Sequence, residues 1–140
     1  MLAAPAPARQ RSSVIELTDV RKSYGPVVAL AGVTERFESD RTTVLIGPSG
    51  CGKSTLLRTL IGLVVPDGGE VRIDGTPVGP DSVRDLRHRT GYVIQQGGLF
   101  PHLRAAENVT LAARHLGWQR DEIRARIEEV CRLVRYPIDR

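Results

Sequence analysis

The sequence lacks the features of secreted, metal-binding and membrane-spanning proteins. Its two cysteines, Cys51 and Cys131, have no metal-ligand spacing and no second pair, which favours a reduced cytosolic compartment. The longest apolar run, residues 27–33, is far shorter than the roughly 18 residues of a membrane span. Prolines interrupt the first eleven residues, so no secretory signal is predicted and residues 1–13 are expected to be disordered.

Lysine is scarce as well, although the chain is basic. Of 20 basic residues only Lys22 and Lys53 are lysines, and the formal net charge is +4. The arginines are spread without a dense run, which is typical of a solvated surface, and no nucleic-acid partner is expected. With 140 residues, 41% of them hydrophobic, the chain has material for one domain with a core.

One glycine-rich stretch matches the phosphate-binding pattern G-x-x-x-x-G-K-[ST] at every fixed position. It consists of Gly47, Pro48, Ser49, Gly50, Cys51, Gly52, Lys53, Ser54 and Thr55. Backbone N–H groups that converge on phosphate oxygens require glycine where φ is positive, and Gly47, Gly50 and Gly52 are expected to supply that freedom. The loop, residues 47–55 (the phosphate loop), therefore predicts a nucleoside triphosphate site.

Three side chains of the phosphate loop have expected roles. Lys53 brings its charge to the β- and γ-phosphates, and the Ser54 hydroxyl is a ligand for Mg²⁺. Thr55 is expected beside the α-phosphate. Residues 43–46 predict a buried parallel strand before the loop, and Leu56, Leu57, Leu60, Ile61 and Val64 have helical spacing after it.

The other segments predict short strands first and helices later. An edge-type strand is expected from Val14, ending at a turn over residues 23–26, followed by a strand over residues 33–38. Residues 66–69 break the chain before a short strand with Val71 and Ile73, and Asp74-Gly75 predicts a hairpin turn. Residues 83–89 predict a short helix and residues 91–95 a second buried strand. After an irregular loop that exposes Phe100 and His102, apolar spacing predicts two amphipathic helices, one with Val109 and one with Ile123.

Taken together, residues 15–134 resemble the ATP-binding subunit of an ABC transporter. Four pieces carry this resemblance: Tyr24 ahead of the phosphate loop, the loop spelling GPSGCGKST, the 66–75 hairpin, and Gln95 followed by LFPHL and ENV. It implies an α/β, P-loop NTPase (ABC ATPase) core with an N-terminal antiparallel β subdomain and the start of a helical subdomain. The sequence around Gln95-Gln96 and at His115-Leu116-Gly117-Trp118 is similar to that of the ATP-binding subunits that energise uptake of quaternary-amine osmoprotectants such as glycine betaine, choline or carnitine.

The resemblance also implies the site residues, cofactors and partners. Tyr24 would stack on adenine, and Gln95 would reach Mg²⁺ and the attacking water, so ATP and Mg²⁺ are the expected cofactors, with Lys53 and Gln95 as catalytic groups. A transmembrane permease would receive the surface with Phe100 and His102, and a second ATP-binding subunit would form a head-to-tail dimer on the cytoplasmic membrane face. The alternatives are an ABC importer of another solute, an ABC ATPase of repair or translation, a small-molecule kinase, and a nucleotide-binding remnant without activity.

The family's signature motif, its aspartate-glutamate strand and its switch histidine are not found in these residues. We expect the chain, taken as residues 14–140 of one nucleotide-binding domain, to be the N-terminal portion of a subunit, by truncation, frameshift or an incomplete gene model, with the C-terminal part absent. Alone it is expected to bind ATP weakly and to hydrolyse it negligibly. Unpaired parallel strands would also make it poorly soluble or partly unfolded.

Overall fold

A computed structural model describes residues 14–95 and 97–137. Residues 1–13, Gln96 and residues 138–140 lie outside the described residues. The expected disorder of residues 1–13 and the part of the family resemblance that uses Gln96 therefore stay predictions. The chain divides into two compact units, one reaching Tyr92 and the other starting at Val93.

The first unit is built on a four-stranded antiparallel sheet. Its elements are β1 (Ile15–Tyr24), β2 (Val27–Phe37), α1 (Lys53–Leu60), β3 (Gly68–Ile73), β4 (Thr76–Pro77) and α2 (Val83–His88). The strand order is β2-β1-β3-β4, so β1 is an internal strand and the expectation of an edge strand is wrong. The predicted antiparallel subdomain is confirmed, although β2 begins six residues earlier than the pattern indicated.

Two turns and one β-bulge fix the strand pairings. β1 and β2 are joined at Gly25-Pro26, where Tyr24 pairs with Val27. The predicted hairpin turn at Asp74-Gly75 is confirmed, because both residues have positive φ (52° and 74°) and Ile73 pairs with Thr76 across it. A bulge at Asp19, whose φ is 49°, shifts the register of β1 and brings Val20 to the same side as Leu17.

The core lies between this sheet and α1. Its buried side chains are Leu17, Val20, Leu30, Leu56, Leu60 and Val71. Helix α1 ends at Leu60, before Ile61 and Val64, because Gly62 turns the chain at a φ of 65°. The helix therefore packs on the sheet by its first two turns, which holds the phosphate loop at the edge of the core.

Neither predicted parallel strand forms in the described residues. Residues 43–46 and 91–95 belong to no strand, and Val44, Ile46 and Val93 are 71%, 91% and 95% exposed. The apolar β-branched composition indicates a strand buried on both faces, but such a strand also needs neighbours for its backbone groups. Among the described residues neither segment pairs with a strand, so the two predictions of buried strands are wrong for this polypeptide.

The second unit contains two helices that match the predicted amphipathic pair. They are α3 (Ala105–His115) and α4 (Arg120–Leu133). At each start a glutamate of the first turn, Glu107 or Glu122, accepts a hydrogen bond at 2.8 Å from the backbone N–H of the residue before the helix. Before them, Phe100 and His102 are exposed in an irregular loop, as expected, with their rings edge to face at 5.9 Å. No helix within the described ranges is long and apolar enough to cross a membrane.

Candidate functional site

The phosphate loop leads directly into the first turn of α1. Gly52 is the residue before the helix, at φ 93° and ψ −4°, and its carbonyl oxygen accepts a hydrogen bond from the Leu56 N–H at 2.8 Å. No side chain caps this end, and no acidic residue lies in the first turn. The first N–H groups of the helix and the positive end of its dipole are therefore free of an internal anion, which suits a phosphate ligand.

The Lys53 ammonium group lies inside the curve of the phosphate loop. Its Nζ donates to the carbonyl oxygens of Gly47 at 2.8 Å and Pro48 at 2.7 Å, and it lies 3.4 Å from the Cys51 Sγ. Lys53 forms no ion pair within the described residues, so its charge is available to an anionic ligand. A half-buried cation held by two loop carbonyls is thus placed where a phosphate group would meet it.

The three glycines of the phosphate loop are required for different structural reasons. Gly50 and Gly52 have φ values of 83° and 93°, as predicted. Gly47 does not, so its predicted positive φ is wrong; a Cβ there would instead lie 2.7 Å from the Cys51 Sγ. A Cβ at Gly52 would lie 2.3 Å from the carbonyl oxygen of Ala29 in β2. Close packing therefore requires glycine at positions 47 and 52, and the left-handed backbone conformation favours it at positions 50 and 52.

The remaining loop side chains are placed along the same turn. Pro48, Ser49 and Ser54 are exposed, and Thr55 is half-buried with its carbonyl oxygen accepting from the Thr59 hydroxyl at 2.8 Å. The Ser54 hydroxyl is open to a metal ligand role. Among the residues that the structure describes, no group of three His, Cys, Asp or Glu side chains could hold a metal. A cation bound here would be coordinated by the Ser54 hydroxyl and by the phosphate oxygens of a bound ligand.

Tyr24 lies at the end of β1, at the turn of the hairpin. Its side chain is 50% exposed, and the Lys22 Nζ is 5.6 Å from its ring centroid. Lys22 in turn donates to the Asp67 Oδ1 at 2.6 Å. The exposed ring is available to a planar ligand. Sequence reasoning missed this support, since Asp67 was interpreted only as part of a chain-breaking segment.

Gln95 belongs to the second unit, whereas the phosphate loop and Tyr24 belong to the first. Its side chain is exposed and no strand precedes it. Its role in the same site therefore stays a prediction.

The Asn108 side chain makes four hydrogen bonds to the loop before α3, a role that sequence reasoning also missed. The Asn108 Oδ1 accepts from the Phe100 N–H at 2.7 Å. Its Nδ2 donates to the carbonyl oxygens of Phe100, Leu103 and Arg104 at 3.0–3.1 Å. An asparagine soon after an irregular loop is a weak signal by itself, since this residue type commonly binds nearby backbone groups. Its effect here is to fix the position of the exposed Phe100.

Comparisons with known proteins agree on one family. The family described as "ABC transporter" matches residues 30–138. Similar curated proteins include the lactose transport ATP-binding protein LacK of Rhizobium radiobacter, 38% identical over 86% of this chain and 32% of its own length. The osmoprotectant import ATP-binding protein OsmV of Salmonella typhimurium is 38% identical over 82% and 30%, and the Fe(3+) ions import ATP-binding protein FbpC of Mesorhizobium japonicum is 40% identical over 87% and 34%.

The fold has a similar solved structure. CbiO1 from Clostridium perfringens, titled part of the ABC transporter complex cbiONQ, superposes with a TM-score of 0.71 at 22% identity, covering 87% of this chain and 50% of its own. This likeness confirms the predicted ABC ATPase fold class. The chain spans about a third of the length of the curated relatives it matches.

Proposed function

Since the chain belongs to the ABC transporter family, we propose that it binds Mg²⁺-ATP at the phosphate loop and is the ATP-binding subunit of an importer. The observation that carries this proposal is the placement of the Lys53 Nζ, 2.8 and 2.7 Å from two loop carbonyls, beside an uncapped helix start. Bound Mg²⁺-ATP supplies a transferable γ-phosphoryl group whose charge the metal partly neutralises.

Each site residue has a proposed role in binding. Lys53 attracts the β- and γ-phosphates, and the backbone of residues 47–55 donates N–H groups to their oxygens. Ser54 ligates Mg²⁺ and Thr55 faces the α-phosphate. Tyr24 stacks on the adenine. The proposed role of Gln95 is to orient water and the metal.

The transported solute is proposed to be an osmoprotectant of the quaternary-amine type. Two further relatives support this choice: the glycine betaine uptake system protein YehX of Escherichia coli and the choline transport protein OpuBA of Bacillus subtilis, at 39% and 35% identity. ATP-binding proteins named for lactose transport, Fe(3+) import and spermidine/putrescine import are 38%, 40% and 40% identical, and their solutes are the competing ones. Inactivating the gene and measuring uptake of labelled glycine betaine at high osmolarity, against spermidine, would decide between them.

The partners follow from the same proposal. A transmembrane permease docks on the second unit at Phe100 and His102, which keeps the subunit on the cytoplasmic face of the membrane. A second ATP-binding subunit pairs with it head to tail. The 140-residue polypeptide by itself binds ATP but turns it over negligibly, because among the described residues no carboxylate forms a hydrogen bond or ion pair with the phosphate loop, where a general base would be needed.

Calorimetric titration of the 140-residue chain with Mg²⁺-ATP tests the proposal. Lys53→Ala should reduce affinity at least tenfold, since a charge-assisted contact to phosphate is lost. Arg84→Ala is the matched control. The Arg84 side chain is exposed in α2 and forms no hydrogen bond or ion pair in the described residues, so its substitution removes one positive charge as Lys53→Ala does. Equal affinity of Lys53→Ala and wild type would refute the site.

A further inference from the structure

Asp67 binds three consecutive residues at the end of β1. Its backbone N–H donates to the Arg21 carbonyl oxygen at 2.8 Å. Its carboxylate accepts from the Lys22 Nζ at 2.6 Å and from the Ser23 N–H at 2.7 Å. We name these three bonds the Asp67 clamp. The residue that follows them in the chain is Tyr24.

The clamp begins where the β-ladder stops. β1 pairs with β3 only as far as Arg21, opposite Gly68, while its last three residues pair only with β2. On the β3 side the Ser23 N–H therefore has no strand to bind, and the Asp67 carboxylate takes that place. The tip of the hairpin would otherwise be held from one side only, which favours fraying.

Lys22 extends the clamp to the aromatic ring. Its side chain is only 17% exposed, and its ammonium group lies on one side of the Tyr24 ring at 5.6 Å from the centroid. The hydrogen bond from Lys22, followed by that from Ser23, holds the pKa of Asp67 below its usual value, so the carboxylate is charged at neutral pH. A paired cation on one side of the ring leaves the other side for a ligand.

We infer that Asp67 is a positioning residue for Tyr24 and thereby for the base of the bound nucleotide. The inference rests on the proposed function, in which Tyr24 stacks on adenine. Asp67 follows α1, and α1 starts at Lys53 in the phosphate loop. The clamp therefore links the base end of the proposed site to the helix that carries the phosphate end, within the first unit.

Two ligands separate the two ends of the site. Mg²⁺-ATP uses both ends, whereas Mg²⁺-tripolyphosphate has no base and uses only the phosphate loop. Calorimetric titration of the 140-residue chain should show Tyr24→Ala binding ATP at least about fivefold more weakly. Asp67→Ala should weaken ATP about three- to tenfold. Neither variant should alter tripolyphosphate affinity, and Asp67→Ala in the Tyr24→Ala background should cause no further loss.

Asp81→Ala is the matched control, because Asp81 is an exposed carboxylate of the same unit without a bond in the described residues. Unchanged ATP affinity in Asp67→Ala, together with a loss in Tyr24→Ala, would overturn the inference and leave the proposed function intact. Equal loss for both ligands in Asp67→Ala would show general destabilisation and also overturn it. Absence of wild-type binding to both ligands would refute the proposed function itself.

Discussion

A methyl group added at Gly52 should separate α1 from β2. The Cβ of Gly52→Ala would lie 2.3 Å from the Ala29 carbonyl oxygen, whereas real Cβ atoms essentially never approach closer than 3.0 Å. The helix start and the strand must therefore move apart by at least 0.7 Å, from 2.3 to 3.0 Å. Because the obstacle is a backbone carbonyl of β2, it cannot rotate away as a side chain would.

The matched control separates this collision from backbone strain. Gly50 has a similar φ of 83°, but a Cβ there meets nothing within 4 Å. Gly50→Ala should therefore cost only the left-handed conformation, about 1–2 kcal/mol. Gly52→Ala adds the displacement to a comparable strain, and we expect at least about 3 kcal/mol.

Hydrogen–deuterium exchange of the β1 and β2 amides measures both costs as local opening free energies, without requiring a single cooperative unfolding transition. Gly52→Ala should speed exchange of the β2 amides by tenfold or more relative to Gly50→Ala. Equal exchange in the two variants would refute the reasoning, because it would mean that the helix start tolerates the shift.

Three further predictions concern other parts of the chain. Asn108→Ala should make the Phe100 amide exchange at least about tenfold faster, since the Asn108 Oδ1 is the acceptor of the Phe100 N–H in the described residues; unchanged exchange would contradict this. Ile46→Thr with Val93→Thr should raise the solubility limit in a precipitation assay, because these side chains are 91% and 95% exposed; an unchanged limit would locate the aggregating surface elsewhere. The depressed pKa of Asp67 means that its contribution is present above the ordinary carboxyl pKa and lost as pH falls below about 4, so the difference in exchange between wild type and Asp67→Asn should shrink there.

Local signals in the sequence predicted the elements that depend on local geometry. The turn at Asp74-Gly75 needs two positive φ values, and the helices need only an apolar stripe and a capped start, so few distant residues enter. The phosphate loop was predictable for a related reason: its glycines and Lys53 act through the backbone of one short segment. Only Gly47 differed from the prediction. Glycine is required there because a Cβ would collide with Cys51, and not because φ is positive.

Two of the missed features, the neighbours that a parallel strand needs and the partners of Asp67, depend on residues distant in sequence. Residues 43–46 have the composition of a buried strand, yet strand formation depends on neighbours that the segment itself does not specify. Asp67 looks like an ordinary turn residue, while its carboxylate partners Lys22 and Ser23 are 45 and 44 positions away. A carboxylate at a turn gives no indication of which strand end it will bind.

Both ends of the proposed nucleotide site depend on the same β-hairpin. Tyr24 lies at its tip, and the Ala29 carbonyl that limits the approach of Gly52 lies five residues later, on β2. The distance from the base end to the phosphate end therefore depends on a short segment of β2 and on two contacts, the Asp67 clamp and the Gly52 packing. A change at the clamp should affect ATP alone, whereas a change at Gly52 moves Lys53 with the helix and should weaken ATP and tripolyphosphate together. Both substitutions should therefore weaken ATP, but only the change at Gly52 should also weaken tripolyphosphate, although both act on one hairpin.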